Sequence, residues 1–306
     1  MKRRLCLFFM LMLAATAAFP ETVDEYLDIG ERYFAENRFH EARTAVMNAI
    51  RLNPDYALAN FHLGVIYYRL NDVSLALEYL SRAIELDNTL AEAYIWRGRI
   101  YNESLNDLAR TLENYNMAVY LEPENDRYHR HRAFFLSDIG DYTQALVGFN
   151  RAIEINPLNY ENFQQRGVFF ARRGLCKYAL NDFNRAIILN SDDVESLLSR
   201  GNMLISIGKY EEAIEDFDTA MRLDSTNFEG HLYRGLANIN LERYHAAILD
   251  FTEVIRIDPN NSDAFYNRST AYKYLATLAN DPVQAWEYWQ RAQEDEAAAH
   301  WLDSQR

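Results

Sequence analysis

The chain has 306 residues, with 31 Lys and Arg against 45 Asp and Glu and a net charge of −14. That balance lacks the basic footprint with which proteins neutralise phosphates, so nucleic acid is not an expected partner. Two cysteines exclude a disulfide framework, and stability must come from the apolar half of the composition.

The first segment reads as a targeting signal. Lys2, Arg3 and Arg4 precede an apolar run from Leu5 to Leu13, too short to span a bilayer comfortably, and Ala15-Thr16-Ala17 fits the small-residue cleavage rule. Residues 1–18 are therefore expected to be a bacterial export signal, with the mature chain starting at Ala18 or Phe19 in the periplasm or outside the cell. An uncleaved anchor is the alternative. Cys6 lies inside the apolar run, which argues against a lipidated N-terminal cysteine, and cleavage leaves Cys176 as the only thiol. No second apolar span follows, so no membrane crossing is expected after cleavage.

From there a small residue recurs at Gly30, Gly64, Gly98, Ala133, Gly167, Gly201, Gly235 and Ser269, in steps of 34 with a single step of 35. A fixed period of this length marks one supersecondary unit repeated, here eight times. Units are placed at residues 23–56, 57–90, 91–125, 126–159, 160–193, 194–227, 228–261 and 262–295, with a cap over 296–306. Within each, apolar spacings of three and four predict two amphipathic helices. Unit 1 runs Tyr26, Ile29, Gly30, Tyr33, then Ala42, Val46, Ala49 and Pro54. Small residues at positions 8 and 20 let the paired helices approach, and the aromatic at position 24 fills the space beside them. Prolines 54, 123, 157 and 259 end second helices. Gly140, Gly174 and Gly208 fall where a left-handed residue is expected between helices, and Asp126, Asn159, Asn227 and Asn261 where a cap is. Unit 3 carries one extra residue near Ser104 to Ala109, and unit 8 about four through Thr277 to Pro282.

The pattern resembles the tetratricopeptide repeat family over residues 23–295. The resemblance implies an all-α, right-handed α-solenoid of about eight helix-turn-helix units with a C-terminal capping helix. It also implies a concave groove that binds peptides, lined by positions 2, 5, 9, 12 and 13 of each first helix. On this face the candidate binding residues are Phe61, Tyr68, Arg99, Asn102, Arg127, Arg130, Phe134, Gln164 and Asn202. Arg99, Arg127 and Arg130 cluster in an acidic chain, which suits an acidic group on a peptide; pairing with Glu92, Glu103, Asp138 or Glu161 is the equal alternative. The family's chaperone-binding members clamp a C-terminal carboxylate with Lys and Asn, but Leu27 and Glu31 occupy those slots here.

A second periodicity stands beside the glycines. Arg97, Arg132, Arg166, Arg200, Arg234 and Arg268 hold position 7, while Asp182, Asp216 and Asp250 hold position 23, which predicts Arg–Asp pairs between packed helices. An anion-binding ladder is the other reading. His129 and His131 stand about 200° apart on a helix, which disfavours a metal pair. Cys176 reads as a small buried filler. No phosphate-cradling glycine loop, nucleophile elbow or cysteine–histidine metal spacing occurs, so neither an enzyme nor a cofactor is expected. The expectation is an envelope scaffold or adaptor for a protein or peptide partner. A solute binder serving a transporter and self-assembly through Trp286, Trp289 and Trp301 are the rival classes.

Overall fold

The computed structural model describes residues 22–305; the expected export signal lies outside the described residues. Sixteen helices and no strand make up the described residues. They pair as α1 (Val23–Ala35) with α2 (Phe39–Leu52), α3 (Ala57–Arg69) with α4 (Val73–Leu86), and α5 (Ala91–Glu103) with α6 (Leu108–Leu121); α7 (Asp126–Asp138) and α8 (Tyr142–Ile155) follow in the chain. The series continues with α9 (Tyr160–Arg172) and α10 (Cys176–Leu189), α11 (Val194–Ser206) and α12 (Tyr210–Leu223), α13 (Phe228–Asn240) and α14 (Tyr244–Ile257), then α15 (Ser262–Leu278) and α16 (Pro282–Ser304). This is the all-α repeat fold the sequence implies. The chain divides into an N-terminal unit ending at Phe135 and a C-terminal unit beginning at Leu136.

Local chemistry sets the hairpins. In the N-terminal unit Thr22 and Glu25 form a reciprocal capping box on α1, and Asp72 and Asp107 accept backbone N–H groups at the starts of α4 and α6. In the C-terminal unit Asp141, Asn159, Asn227, Asn261 and Asp281 do the same. Asp126 is not among these caps: it is the first residue of α7, where an acid suits the helix dipole. Gly140, Gly174 and Gly208 adopt positive φ between helices, as expected. Asn37, Asn71, Asn106 and Glu242 take the same conformation in other hairpins, so the turn geometry persists where glycine does not.

The glycine rungs work by excluding a side chain. In the N-terminal unit a Cβ on Gly64 would stand 2.7 Å from Leu80 Cγ and 3.1 Å from the Ala76 carbonyl. In the C-terminal unit a Cβ on Gly167 would meet Phe183 Cε1 at 2.7 Å. Phe183, Phe217 and Phe251 are fully buried, each with its ring against its partner glycine. The last pair departs from the others. Its second helix runs unbroken for 23 residues, so the cap placed at 296–306 and the eighth unit's second helix are one element.

Candidate functional site

Two sets of side chains stand out, and only one is free to meet a ligand. The position 7 arginines are consumed by structure. Arg166 donates from Nε and Nη2 to the two oxygens of Asp182, both at 2.8 Å, and from Nη1 to Asn150 Oδ1 at 2.7 Å. Arg200 repeats this with Asp216 and Asn184, and Arg234 with Asp250 and Asp218. Each arginine thus ties its own hairpin to the preceding one, sixteen residues forward and sixteen back. In the N-terminal unit Arg97 reaches Asn114 and Ser81 the same way. Sequence reasoning missed Asp295, which binds Arg268 at 2.8 and 2.7 Å from a distance of 27 residues, because the insertion before α16 breaks the register. Arg132 has Gly148 where an aspartate would stand in the sequence. It reaches only Asn116, its Nε is buried without a hydrogen-bond partner, and burial lowers its pKa. With their donors spent on aspartate and asparagine, the paired arginines are not an anion ladder.

The predicted groove face needs correction at position 5. Leu27, Phe61, Ile95, Arg130, Gln164 and Leu198 occupy this slot in consecutive units, and all are buried. Gln164 donates to Asp193 at 3.4 Å. The row is part of the packing, so Arg130 and Gln164 do not lie open on a binding face. Tyr68, Arg99, Asn102 and Phe134 are half-buried, while Arg127 and, in the C-terminal unit, Asn202 are exposed. The acidic alternatives for the arginines are realised: Arg99 Nε meets Glu103 at 2.7 Å, and Arg127 pairs with Glu92, which also accepts from Tyr128 at 2.9 Å. An acidic ligand would have to displace these carboxylates.

What the N-terminal unit does leave open is an apolar hollow of about 210 Å³ among α1, α2, α3 and α5. Phe34, Phe61, Val65, Ile66 and Trp96 wall it, Gly30 and Val46 form its base, and Glu31 and His62 stand at its edge. Beside it Trp96 packs edge-on to Tyr68, with ring centroids 6.0 Å apart. The guanidinium groups of Arg69 and Arg99 lie 5.7 and 5.4 Å from the Trp96 ring. Arg69 is exposed and also faces Phe34 at 5.8 Å. The face reading found Phe61 and Tyr68. It missed Trp96 and His62 because both hold position 6, one residue off the projected stripe, and their length carries the rings back into the hollow.

Charge at the hollow's rim is set by burial. His62 Nε2 lies 3.2 Å from Glu31 Oε1, yet burial lowers the His62 pKa more than the carboxylate raises it. Burial thus favours the neutral ring, and the contact with Glu31 is a close approach more than an ion pair. His131 is pushed down to about 4, first by burial and then by Arg130, Arg127 and Arg99. His129 is buried with Nε2 on the Pro123 carbonyl at 2.9 Å. Among the described residues no three His, Cys, Asp or Glu side chains come together as metal ligands would. Cys176 is not the buried filler expected; it starts α10 half-exposed, with Sγ 3.7 Å from Ser206 Oγ. In the C-terminal unit a hollow of about 490 Å³ lies over Asp218, Met221 and His231, but Asp218 and the adjoining Arg234 are committed to the ladder. No helix among the described residues is long and apolar enough to cross a membrane.

Comparison with known proteins agrees with the geometry. Family models described as tetratricopeptide repeat match residues 27–91 and 231–261, and one described as TPR repeat matches residues 201–241. Hsp70-Hsp90 organizing protein 1 of Glycine max is 27% identical over 106 residues, which is 35% of this chain and 18% of that protein. The corresponding protein of Triticum aestivum is 26% identical over the same shares. The matched stretch thus spans less than a fifth of these curated relatives. Among solved structures, yeast Tom70 is 19% identical with a TM-score of 0.62, over 93% of this chain and 66% of that one. A tetratricopeptide repeat protein from Parabacteroides merdae is 17% identical with a TM-score of 0.59, over 90% of this chain and all of that one. At such identities the structures speak for the fold alone. Tetratricopeptide repeat models thus match residues of both units, and in both a glycine on the first helix of a hairpin lies close against a large side chain of the second.

Proposed function

We propose that this protein is a non-catalytic scaffold that holds a segment of a partner protein against α1, α3 and α5 of its N-terminal unit. One large apolar side chain of the partner fills the hollow beside Trp96. The observation that carries this reading is the hollow itself, whose wall is aromatic and aliphatic. Arrays of this fold are typically interaction scaffolds, and curated relatives are named for organising Hsp70 and Hsp90. The carboxylate clamp of chaperone-binding members is not part of this proposal. Leu27 is buried at one clamp slot, and charged Glu31 at the other would repel a carboxylate. The preferred segment is instead apolar at its centre and neutral or basic where it passes Glu31.

In the hollow beside Trp96 a solute is the weaker reading, because about 210 Å³ is less than the roughly 300–1,000 Å³ of typical ligand pockets. The bacterial envelope is part of the proposal and rests on the basic and apolar pattern of residues 2–17. Fractionation with N-terminal sequencing tests it; a cytoplasmic chain retaining Lys2 would refute export. The binding claim is tested by selecting a random peptide library against the full chain and measuring affinities by calorimetry. Selected peptides should share a large apolar residue and lose at least tenfold in affinity for Trp96→Ala. Peptides indifferent to that change would remove the site.

A further inference from the structure

Along the array a ring at position 24 of the second helix bridges its own first helix and the next one. Tyr115 of α6 lies against Gly98 and stands 5.8 Å, centroid to centroid, from Phe135 of α7. In the C-terminal unit Phe149 of α8 stands 5.5 Å from Phe169 of α9. Phe217 of α12 lies against Gly201 and stands 5.9 Å from Tyr233 of α13. The first hairpin has Val46 at this position, sixteen residues after Gly30, as Phe217 is after Gly201. It is the smallest residue at position 24 in the first seven hairpins. Phe135 and Phe169 follow their rings by twenty residues and Tyr233 by sixteen; Ile66 and His62 follow Val46 by the same twenty and sixteen. Ile66 and His62 meet no ring from α2. They line the apolar hollow, with Gly30 and Val46 at its base. The hollow is therefore the space of a ring that the repeat omits in its first hairpin. Its volume of about 210 Å³ suits that occupant, since a cavity of about 150 Å³ lined by leucine, isoleucine and phenylalanine takes up benzene.

We propose that the partner supplies the omitted ring: its anchor is an aromatic side chain seated against Gly30, Val46 and Ile66, with a basic residue beside it over Glu31. The proposal rests on the reading of this hollow as the partner site and names the chemistry that fills it. Phe34, Phe61 and Trp96 give such a ring aromatic neighbours, an attraction beyond apolar area alone. Charge complementarity places the basic residue. Asp28 and Glu31 stand one turn apart on α1, both exposed, and with Arg32 and Ala35 they line a shallower hollow that shares Glu31 with the ring site. Two carboxylates against one guanidinium favour a cation there, and a chain of net charge −14 favours a basic partner. On the other side Arg69 lies over Phe34 and Trp96, so the partner's cation belongs on the α1 side of its ring.

Peptides selected from a random library against the full chain, titrated by calorimetry, test this. They should carry Phe, Tyr or Trp at the anchor with Lys or Arg close by. Exchanging the anchor ring for leucine should weaken binding roughly two- to tenfold, and Glu31→Gln should weaken it up to about fivefold. Val46→Phe builds the ring into the chain itself. It should keep the helical circular dichroism and melt no lower than the native chain, yet lose at least tenfold in affinity for the same peptides. The anchor exchange is read on the native chain, so it decides the matter however Val46→Phe folds. Peptides that need Trp96 but carry leucine or methionine anchors would overturn the ring while leaving the partner site standing. Peptides indifferent to both Trp96→Ala and Val46→Phe would remove the ring and the site together.

Discussion

Arg166 grips Asp182 through two parallel hydrogen bonds of 2.8 Å, while its remaining donor reaches back to Asn150 in the hairpin before. Asp182 is almost wholly buried, so the pair is a fixed joint and not a surface decoration. Removing the carboxylate strands a guanidinium among packed helices. Asp182→Ala should cost about 3 kcal/mol in urea unfolding, near the lower end for breaking a buried pair. The double change Arg166→Met/Asp182→Leu should cost much less, because it leaves no unpaired charge. Equal losses in both would show that the pair acts through shape alone.

The glycine rung gives a second prediction. Gly167→Ala places a methyl 2.7 and 2.9 Å from two ring atoms of fully buried Phe183, so the ring must shift or the helices must part. Overpacking of this kind costs roughly 1–3 kcal/mol. Adding Phe183→Leu should recover part of that loss, which thermal melts of the single and double variants would show.

Glu242 offers the opposite case. It stands at φ +58° in the turn between α13 and α14, where hairpins earlier in the C-terminal unit use glycine. A side chain in this region costs about 1–2 kcal/mol, so Glu242→Gly should raise the melting temperature. An unchanged or lowered midpoint would mean that the glutamate compensates through contacts of its own.

Acidification should weaken the N-terminal unit. His131 titrates at about 4 in the folded chain against about 6.5 when unfolded, because burial and three nearby arginines oppose its charged form. The unfolded state therefore binds more protons between these values. Stability is complete above pH 6.5 and falls as pH drops toward 4. His62, lowered by burial, adds in the same direction. His131→Gln should reduce the difference in unfolding free energy between pH 7.5 and 4.5, by up to about 3 kcal/mol; an identical difference in both proteins would exclude the assignment.

Much of this was legible in the sequence because the array repeats itself. A glycine every 34 residues announces a helix contact, and an arginine beside it with an aspartate sixteen residues on announces a pair. Legibility failed where the period breaks or geometry intervenes. Asp295 was hidden by the insertion before α16. Arg130 and Gln164 project onto the groove face by angle alone, but position 5 is buried in six consecutive units. Trp96 sits one position off that face and reaches it by the size of its ring. Among turns, Asn37, Asn71 and Asn106 do the work of glycine without its conspicuous spelling.

The central claim is that a partner segment lies in the hollow walled by Phe34, Phe61 and Trp96. A photoreactive benzoylphenylalanine placed at His62, on the rim of that hollow, tests it most directly. With a library-selected peptide, irradiation should cross-link position 62 to the peptide's large apolar residue, and the same probe at exposed Tyr178 in the C-terminal unit should give no adduct. Adducts at Tyr178 with none at position 62, under saturating peptide, would contradict the account.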